Sequence, residues 1–178
     1  YIAVRRSTKW AKNIMDSRPK KLAEAVKKKK VRVQKMANFA NEKEFLDSLS
    51  EKEIAALFDT LKEQYGRDIF GQGYIYKIIE DSELANVDEL TTEEKENGID
   101  TSKNYYVPYD KGDKDGNRWY LETPFAIAWS KENVRFLKTD PKARYQGYSF
   151  YFREGLCWSD INTTFLKCRK KEKSGTVL

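Results

Sequence analysis

Tyr148-Ser149-Phe150-Tyr151-Phe152-Arg153-Glu154-Gly155-Leu156-Cys157-Trp158-Ser159-Asp160-Ile161-Asn162-Thr163-Thr164-Phe165-Leu166-Lys167-Cys168-Arg169 is the stretch on which the reading of the C-terminal half turns. Its first six residues alternate. Tyr148, Phe150 and Phe152 fall on one face and Ser149, Tyr151 and Arg153 on the other, the period-two pattern of a strand. Glu154-Gly155 interrupts it, Leu156 to Ser159 restarts a short apolar run, Asp160 to Thr164 is turn-like, and Phe165 to Arg169 extends again. Aromatic, hydroxyl and cationic side chains interleave throughout. That mix suits a surface reading base edges beside a phosphate backbone, and equally the rim of an ordinary small sheet.

Working outward, Lys142 to Gly147 is a basic loop feeding the stretch. Before it, Phe125 to Trp129 reads as a strand, and Ser130 caps a helix over 131–138 with Val134 and Leu137 inward, ended by Asp140-Pro141. Tyr105 to Tyr109 is a strand whose Pro108, lacking an N–H, argues for a sheet edge. Asp110 to Asn117 is a polar hairpin loop and Arg118 to Leu121 the returning strand. Asp113, Asp115, Gly116 and Glu122 match four positions of a calcium loop, but Lys111 stands where the leading carboxylate belongs and strands flank the loop, so calcium is not expected.

Further upstream, Tyr74 to Ile79 is a strand of strong β character. Asp81 to Asp100 is an acidic loop with a short helical turn capped by Thr91 or Thr92. Gly71-Gln72-Gly73 lacks the third glycine and the strand–turn–helix context of a nucleotide loop. Ser50-Glu51-Lys52-Glu53 is a capping box opening a helix over 51–65, whose Ile54, Leu57, Phe58, Leu61 and Tyr65 keep a three/four spacing up to Gly66. A further helix is expected over 18–40, with Asp16 or Ser17 as N-cap and Pro19 in the first turn. Tyr1 to Val4 can be the tail of a strand. The expected fold is α+β, N-terminal helices followed by a mixed or antiparallel sheet of short strands with one or two helices. The expected division is a mainly helical region over 1–70 and an α+β domain over 71–178.

The 178 residues suit one sizeable core plus an appendage, and no run approaches the length that spans a bilayer. Net charge is +6, but it is laid down in blocks. Residues 1–36 carry 13 Lys/Arg against 2 Asp/Glu, net +11; 37–100 carry 6 against 17, net −11; 101–178 carry 15 against 9, net +6. Such blocks are solvated faces or polyanion-binding surfaces. The absence of histidine removes triads, most metal sites and the commonest general base. Cys157 and Cys168 alone cannot complete a zinc site, and two reduced thiols in a cytoplasmic protein are expected. No leader is expected at the start, and both ends read as cut from a larger protein.

The run Tyr109 to Phe125, then Ala128-Trp129-Ser130, then Phe150-Tyr151-Phe152-Arg153-Glu154-Gly155-Leu156-Cys157-Trp158-Ser159 resembles the target recognition domain of bacterial adenine-N6 DNA methyltransferases. The nearest likeness is to type IIG restriction–modification enzymes with a TaqI-like specificity region. Asp68-Ile69-Phe70-Gly71-Gln72-Gly73-Tyr74-Ile75-Tyr76 is similar to the segment preceding that domain, so the resemblance covers about residues 50–178. It implies a parent enzyme that binds S-adenosylmethionine, flips an adenine out of the duplex and methylates its exocyclic amine, in many members with cleavage of DNA as well. The Asn/Asp-Pro-Pro-Tyr/Phe motif and the glycine-bearing cofactor loop are missing here. The chain is therefore expected to hold no cofactor, to catalyse nothing itself, and to supply the sequence readout beside the catalytic domain of the same protein.

Candidate DNA contacts follow from side-chain chemistry. They are Lys111, Lys114 and Arg118 on the hairpin, Lys142 and Arg144 in the basic loop, and Arg153, Ser159, Lys167 and Arg169 on or beside the opening stretch. Arginine pairs guanine bidentately, lysine positions phosphate, and Asn117 and Asn162 are candidates for adenine. Trp119, Trp129 and Trp158 are expected as core anchors, and Phe150, Phe152, Leu156 and Trp158 as a packed frame. The competing reading is a protein-interaction module whose acidic middle and basic helix dock on partner subunits without touching DNA.

Overall fold

The first strand, β1 (Ile2–Arg5), sits inside a sheet whose other members all come from Lys77 onward. A computed structural model describes residues 2–27, 41–65, 77–110, 124–141, 143, 145–158, 168–173 and 175–176. The fold is α+β, and the chain divides into two units, Thr8–Lys77 and Tyr1–Ser7 with Ile78–Leu178.

The first unit is helical: α1 (Lys9–Lys27), α2 (Glu42–Asp47) and α3 (Glu51–Tyr65). Helix α1 begins nine residues before the expected start at 18. Thr8 is its cap, since the Thr8 hydroxyl accepts from the Ala11 N–H at 3.4 Å. Asp16 and Ser17, expected as N-caps, therefore lie within the helix, and the Ser17 hydroxyl donates back to the Ile14 carbonyl at 2.9 Å. Pro19 stands in the interior, where it withholds an N–H from the Met15 carbonyl. Burial outweighs that defect: Ala11 and Leu22 are sealed on one face of α1, and the Arg18 guanidinium covers the Phe58 ring at 5.8 Å. Residues 28–40 of the expected helix lie outside the described residues.

Helix α2 was not anticipated. Asn41 caps it, its Oδ1 accepting from the Glu44 N–H at 2.9 Å. Helix α3 has the expected bounds and capping box, with the Ser50 N–H donating to Glu53 Oε2 at 2.8 Å and the Glu53 N–H to the Ser50 hydroxyl at 3.4 Å. Leu22, Phe45, Leu46, Ile54, Phe58 and Leu61 form the core of this unit.

The second unit is built on a four-stranded sheet in the order β2 (Lys77–Ile79), β1, β4 (Phe125–Ala128), β3 (Tyr106–Pro108). β4 runs antiparallel to both neighbours, with Ile2 opposite Ile127, and Tyr106 opposite Ala128. All four β4 residues are buried, because both faces of a central strand are covered. Ala3, Ala126 and Ala128 leave room on one face for Ile79 and Tyr106. Pro108 lies on the edge strand as expected, where its carbonyl takes both the backbone N–H (3.0 Å) and the hydroxyl (3.2 Å) of Thr176.

Two short helices pack against each other beyond the sheet. α4 (Thr92–Asn97) starts at a capping box between Thr91 and Glu94 and stops at Gly98, whose φ of +95° only glycine accepts readily. α5 (Lys131–Thr139) starts at Ser130 and ends at Asp140, and Val134 is its buried residue. Between them Ile99 exchanges backbone bonds with Trp129 (2.7 Å) and Lys131 (3.1 Å), and the buried Trp129 donates its indole N–H to the Lys95 carbonyl at 3.2 Å. Trp129 is thus the core anchor expected. Among the described residues no helix is long and apolar enough to cross a membrane.

The expected strand over Tyr148 to Arg153 is absent. Tyr148–Phe150 is a 3-10 turn, entered through Gly147 in the left-handed region (φ +67°) and left through Phe152, whose φ is +57°. Ring pairing defeats the alternation: Tyr148 stacks on Tyr145, and the buried ring is Tyr151, placed on the opposite face by the period-two reading. Phe152, with a positive φ, is held by its N–H bond to the Gly175 carbonyl at 3.2 Å and its ring against Trp129 at 5.5 Å.

Candidate nucleic-acid interface

The second half of the opening stretch forms a two-stranded antiparallel ribbon, β5 (Gly155–Trp158) with β6 (Cys168–Lys171). Leu156 stands opposite Lys170, Cys157 opposite Arg169, and Trp158 opposite Cys168. Alternation then divides the ribbon into two faces with different chemistry. Cys157, Arg169 and Lys171 share the inner face, and Leu156, Trp158 and Lys170 the outer one.

The inner face is a buried polar cluster. The Arg169 guanidinium is 5% exposed and donates from Nη2 to Asp110 Oδ1 at 2.7 Å. The Cys157 thiol donates to the other carboxylate oxygen, Oδ2, at 2.9 Å. Burial, and then the neighbouring Asp110 carboxylate, push the Cys157 pKa up to about 11, so the thiol keeps its proton near neutrality. The Lys171 ammonium donates to the Arg153 carbonyl at 2.6 Å, and burial lowers its pKa. Asp110 in turn is fixed by its own N–H, which donates to the Thr176 carbonyl at 2.8 Å. One carboxylate at the end of β3 therefore grips the ribbon from beneath.

The outer face is open. Leu156 is 67% exposed and Trp158 65%, and Phe150, from the preceding turn, is 69% exposed. Expected as a packed frame, these three are the surface, and Trp158 is no core anchor. A two-stranded ribbon has one covered face, and here the polar cluster occupies it. Phe150, Leu156 and Trp158 border a shallow, mainly apolar cleft together with Arg153 and Lys171. Lys170 lies exposed beside them, 3.3 Å from Glu172.

Of the candidate contacts, two fall among the described residues. Arg153 is exposed at the ribbon's base. Arg169 is turned inward and held by Asp110, so its guanidinium is committed to the fold and not to a partner. Lys111, Lys114, Asn117, Arg118, Lys142, Arg144, Ser159, Asn162 and Lys167 lie outside the described residues, as does Trp119. Sequence reasoning missed Lys170 and the exposure of Leu156 and Trp158. The pairing register would have supplied both, but the residues between Trp158 and Cys168 give no turn type from which to read it.

Much of the remaining charge is spent internally. Arg5 pairs with Asp81 at 2.5 Å, Arg6 with Glu80 at 2.5 Å, Lys103 with Glu94 at 2.7 Å and Lys173 with Asp88 at 2.8 Å. The acidic segment thus meets cations of its own unit. Compared with known proteins, the chain matches no family model, no curated protein and no solved structure.

Proposed function

We propose that the chain reads double-stranded DNA as the target recognition domain of a site-specific adenine-N6 DNA methyltransferase from a cytoplasmic restriction–modification system. The observation that carries this reading is the outer face of the β5–β6 ribbon: an indole, an isobutyl group and an ammonium stand outward on two strands, clamped from below. A two-stranded ribbon fits a major groove about 12 Å wide, apolar side chains there meet thymine methyl groups, and lysine pairs with phosphate. The sequence resemblance, covering the same ribbon, points the same way. S-adenosylmethionine and the methyl-transfer chemistry belong in this reading to the catalytic domain of the parent chain, and no residue of this segment takes a catalytic role.

Fluorescence anisotropy with a pool of short duplexes tests it. Binding should weaken linearly in log K against log salt as phosphate counterions are released, and one or a few sequences should be held more tightly than the pool. Affinity that is absent, or unchanged between low and high salt, defeats the proposal.

A second reading has one observation in its favour. Phe150, Leu156 and Trp158 form an apolar patch of the kind that marks protein docking. Under that reading Trp158→Ala abolishes association with a partner subunit in light scattering while duplex affinity stays nil with and without the substitution.

A further inference from the structure

The ribbon leaves unexplained the tyrosines that precede it and the cleft they border. A column of rings starts at the wholly buried Trp129. Tyr145 lies against it with centroids 6.4 Å apart and planes 28° apart, and Tyr148 lies on Tyr145 at 5.6 Å with planes 6° apart. The far end of the column stands in solvent, because Tyr148 is 65% exposed. Tyr151 braces it from the side, edge-on to Trp129 at 5.9 Å and to Tyr145 at 5.7 Å, with its hydroxyl donated to the Gln146 carbonyl at 2.9 Å. Gly147, at φ +67°, lets the backbone turn between the two parallel rings.

An exposed tyrosine is ordinarily free to swing. Here one face of the ring is fixed by the column and the ring is held ready for a further planar group. Beside it opens a cleft of about 850 Å3 with Lys95, Lys138 and Arg153 on its walls and two carboxylates, Glu96 and Asp140. Among the described residues its walls carry three cations against two anions, a net positive charge. Lys138 donates to a neutral partner, Asn97 Oδ1, at 2.7 Å, so that bond does not cancel its charge.

We propose that Tyr148 is a stacking platform for a single unpaired nucleobase, with the cations of the adjoining cleft receiving the neighbouring phosphate. Every base has a π face, so such a platform is indifferent to sequence, and its partner must present that face. In a paired duplex both faces are hidden in the stack, and a base that has left the stack exposes them. The inference rests on the DNA-reading proposal for its choice of a nucleic acid and goes beyond it in the state of the strand that is recognised.

Anisotropy with the full chain separates the two. The probes are a short paired duplex, the same duplex carrying a one-base bulge, and a short single strand; the proteins are the wild type, Tyr148→Leu and Tyr148→Phe. The wild type should prefer the bulged duplex by about fivefold or more, the low end of what one base–aromatic stack provides. Tyr148→Phe should keep the preference, and Tyr148→Leu should lose it while binding the paired duplex as before. Equal wild-type affinity for paired and bulged duplexes, a preference surviving Tyr148→Leu, or an equal loss on both duplexes overturns the platform and leaves the duplex reading standing. Binding to bulged and single-stranded probes without binding to the paired duplex upholds the platform and overturns the duplex reading. Binding to none overturns both.

Discussion

Asp110 Oδ1 accepts from Arg169 Nη2 at 2.7 Å across 59 positions of sequence, and the same carboxylate takes the Cys157 thiol at 2.9 Å. A single side chain thus joins the edge of the sheet to both strands of the ribbon. The arrangement is structural: it consumes an arginine and a cysteine to hold the opposite face outward.

Removing one partner should be worse than removing both. Asp110→Ala leaves the buried guanidinium without its carboxylate and should destabilise the sheet unit by about 3–5 kcal/mol in denaturant unfolding. Asp110→Leu with Arg169→Leu should lose much less than the sum of the single changes, and strict additivity would show that the pair is not coupled. Asp110→Asn, by withdrawing the charge that raises the thiol pKa while Arg169 remains to lower it, should also speed alkylation of Cys157 near neutrality.

Gly98→Ala should destabilise strongly. A Cβ there would lie 2.7 Å from backbone atoms of Lys131, and φ is +95°. Backbone strain alone amounts to about 1–3 kcal/mol, with the clash added to it. A melting temperature within a degree of wild type would contradict the account given of the α4–α5 junction.

The bond to Lys103, with those from the Thr91 backbone and hydroxyl, holds the Glu94 carboxyl at about 2, below its ordinary 4.5. A depressed folded-state pKa gives stability that is present above about 4.5 and lost as pH falls toward 2. Lys103→Met should therefore lower the melting temperature near neutrality and make no difference near the acid end. A deficit that persists undiminished in acid would mean that the lysine acts through packing instead. A carboxyl resonance of Glu94 titrating at an ordinary value would remove the premise.

Lys170→Ala should leave the fold intact, since the side chain is exposed, and weaken binding about equally across duplex sequences while reducing the salt slope by roughly one unit. Trp158→Ala should instead change which sequences are preferred. The reverse pattern would exchange the roles assigned to the two residues.

Local signals carried much of the fold. The Ser50 capping box, the Thr91 and Ser130 caps and the edge position of Pro108 were all legible, because each is written within a few residues. The failures share one cause. The run of α1 through Pro19, the turn at Tyr148 and the exposure of Leu156 and Trp158 depend on partners distant in sequence or on ring pairing, which a period-two or period-3.6 count cannot register. Arg169 shows the same limit for the site. Its charge was visible in sequence, but Asp110, which claims it, was not.

The position of β1 carries a further consequence, for the order of assembly. Ile2 finds its partner in Ile127, and both neighbours of the strand, β2 and β4, are encoded well after it. Pairing with β2 needs Lys77–Ile79 and pairing with β4 needs Phe125–Ala128, whereas among the described residues the core of α1–α3 is a cluster of nearer neighbours, Leu22, Phe45, Leu46, Ile54, Phe58 and Leu61. Closing so long a loop is entropically costly and slow compared with forming helices from near neighbours. The helical unit should reach its fold first, and completion of the sheet should set the slow phase of refolding.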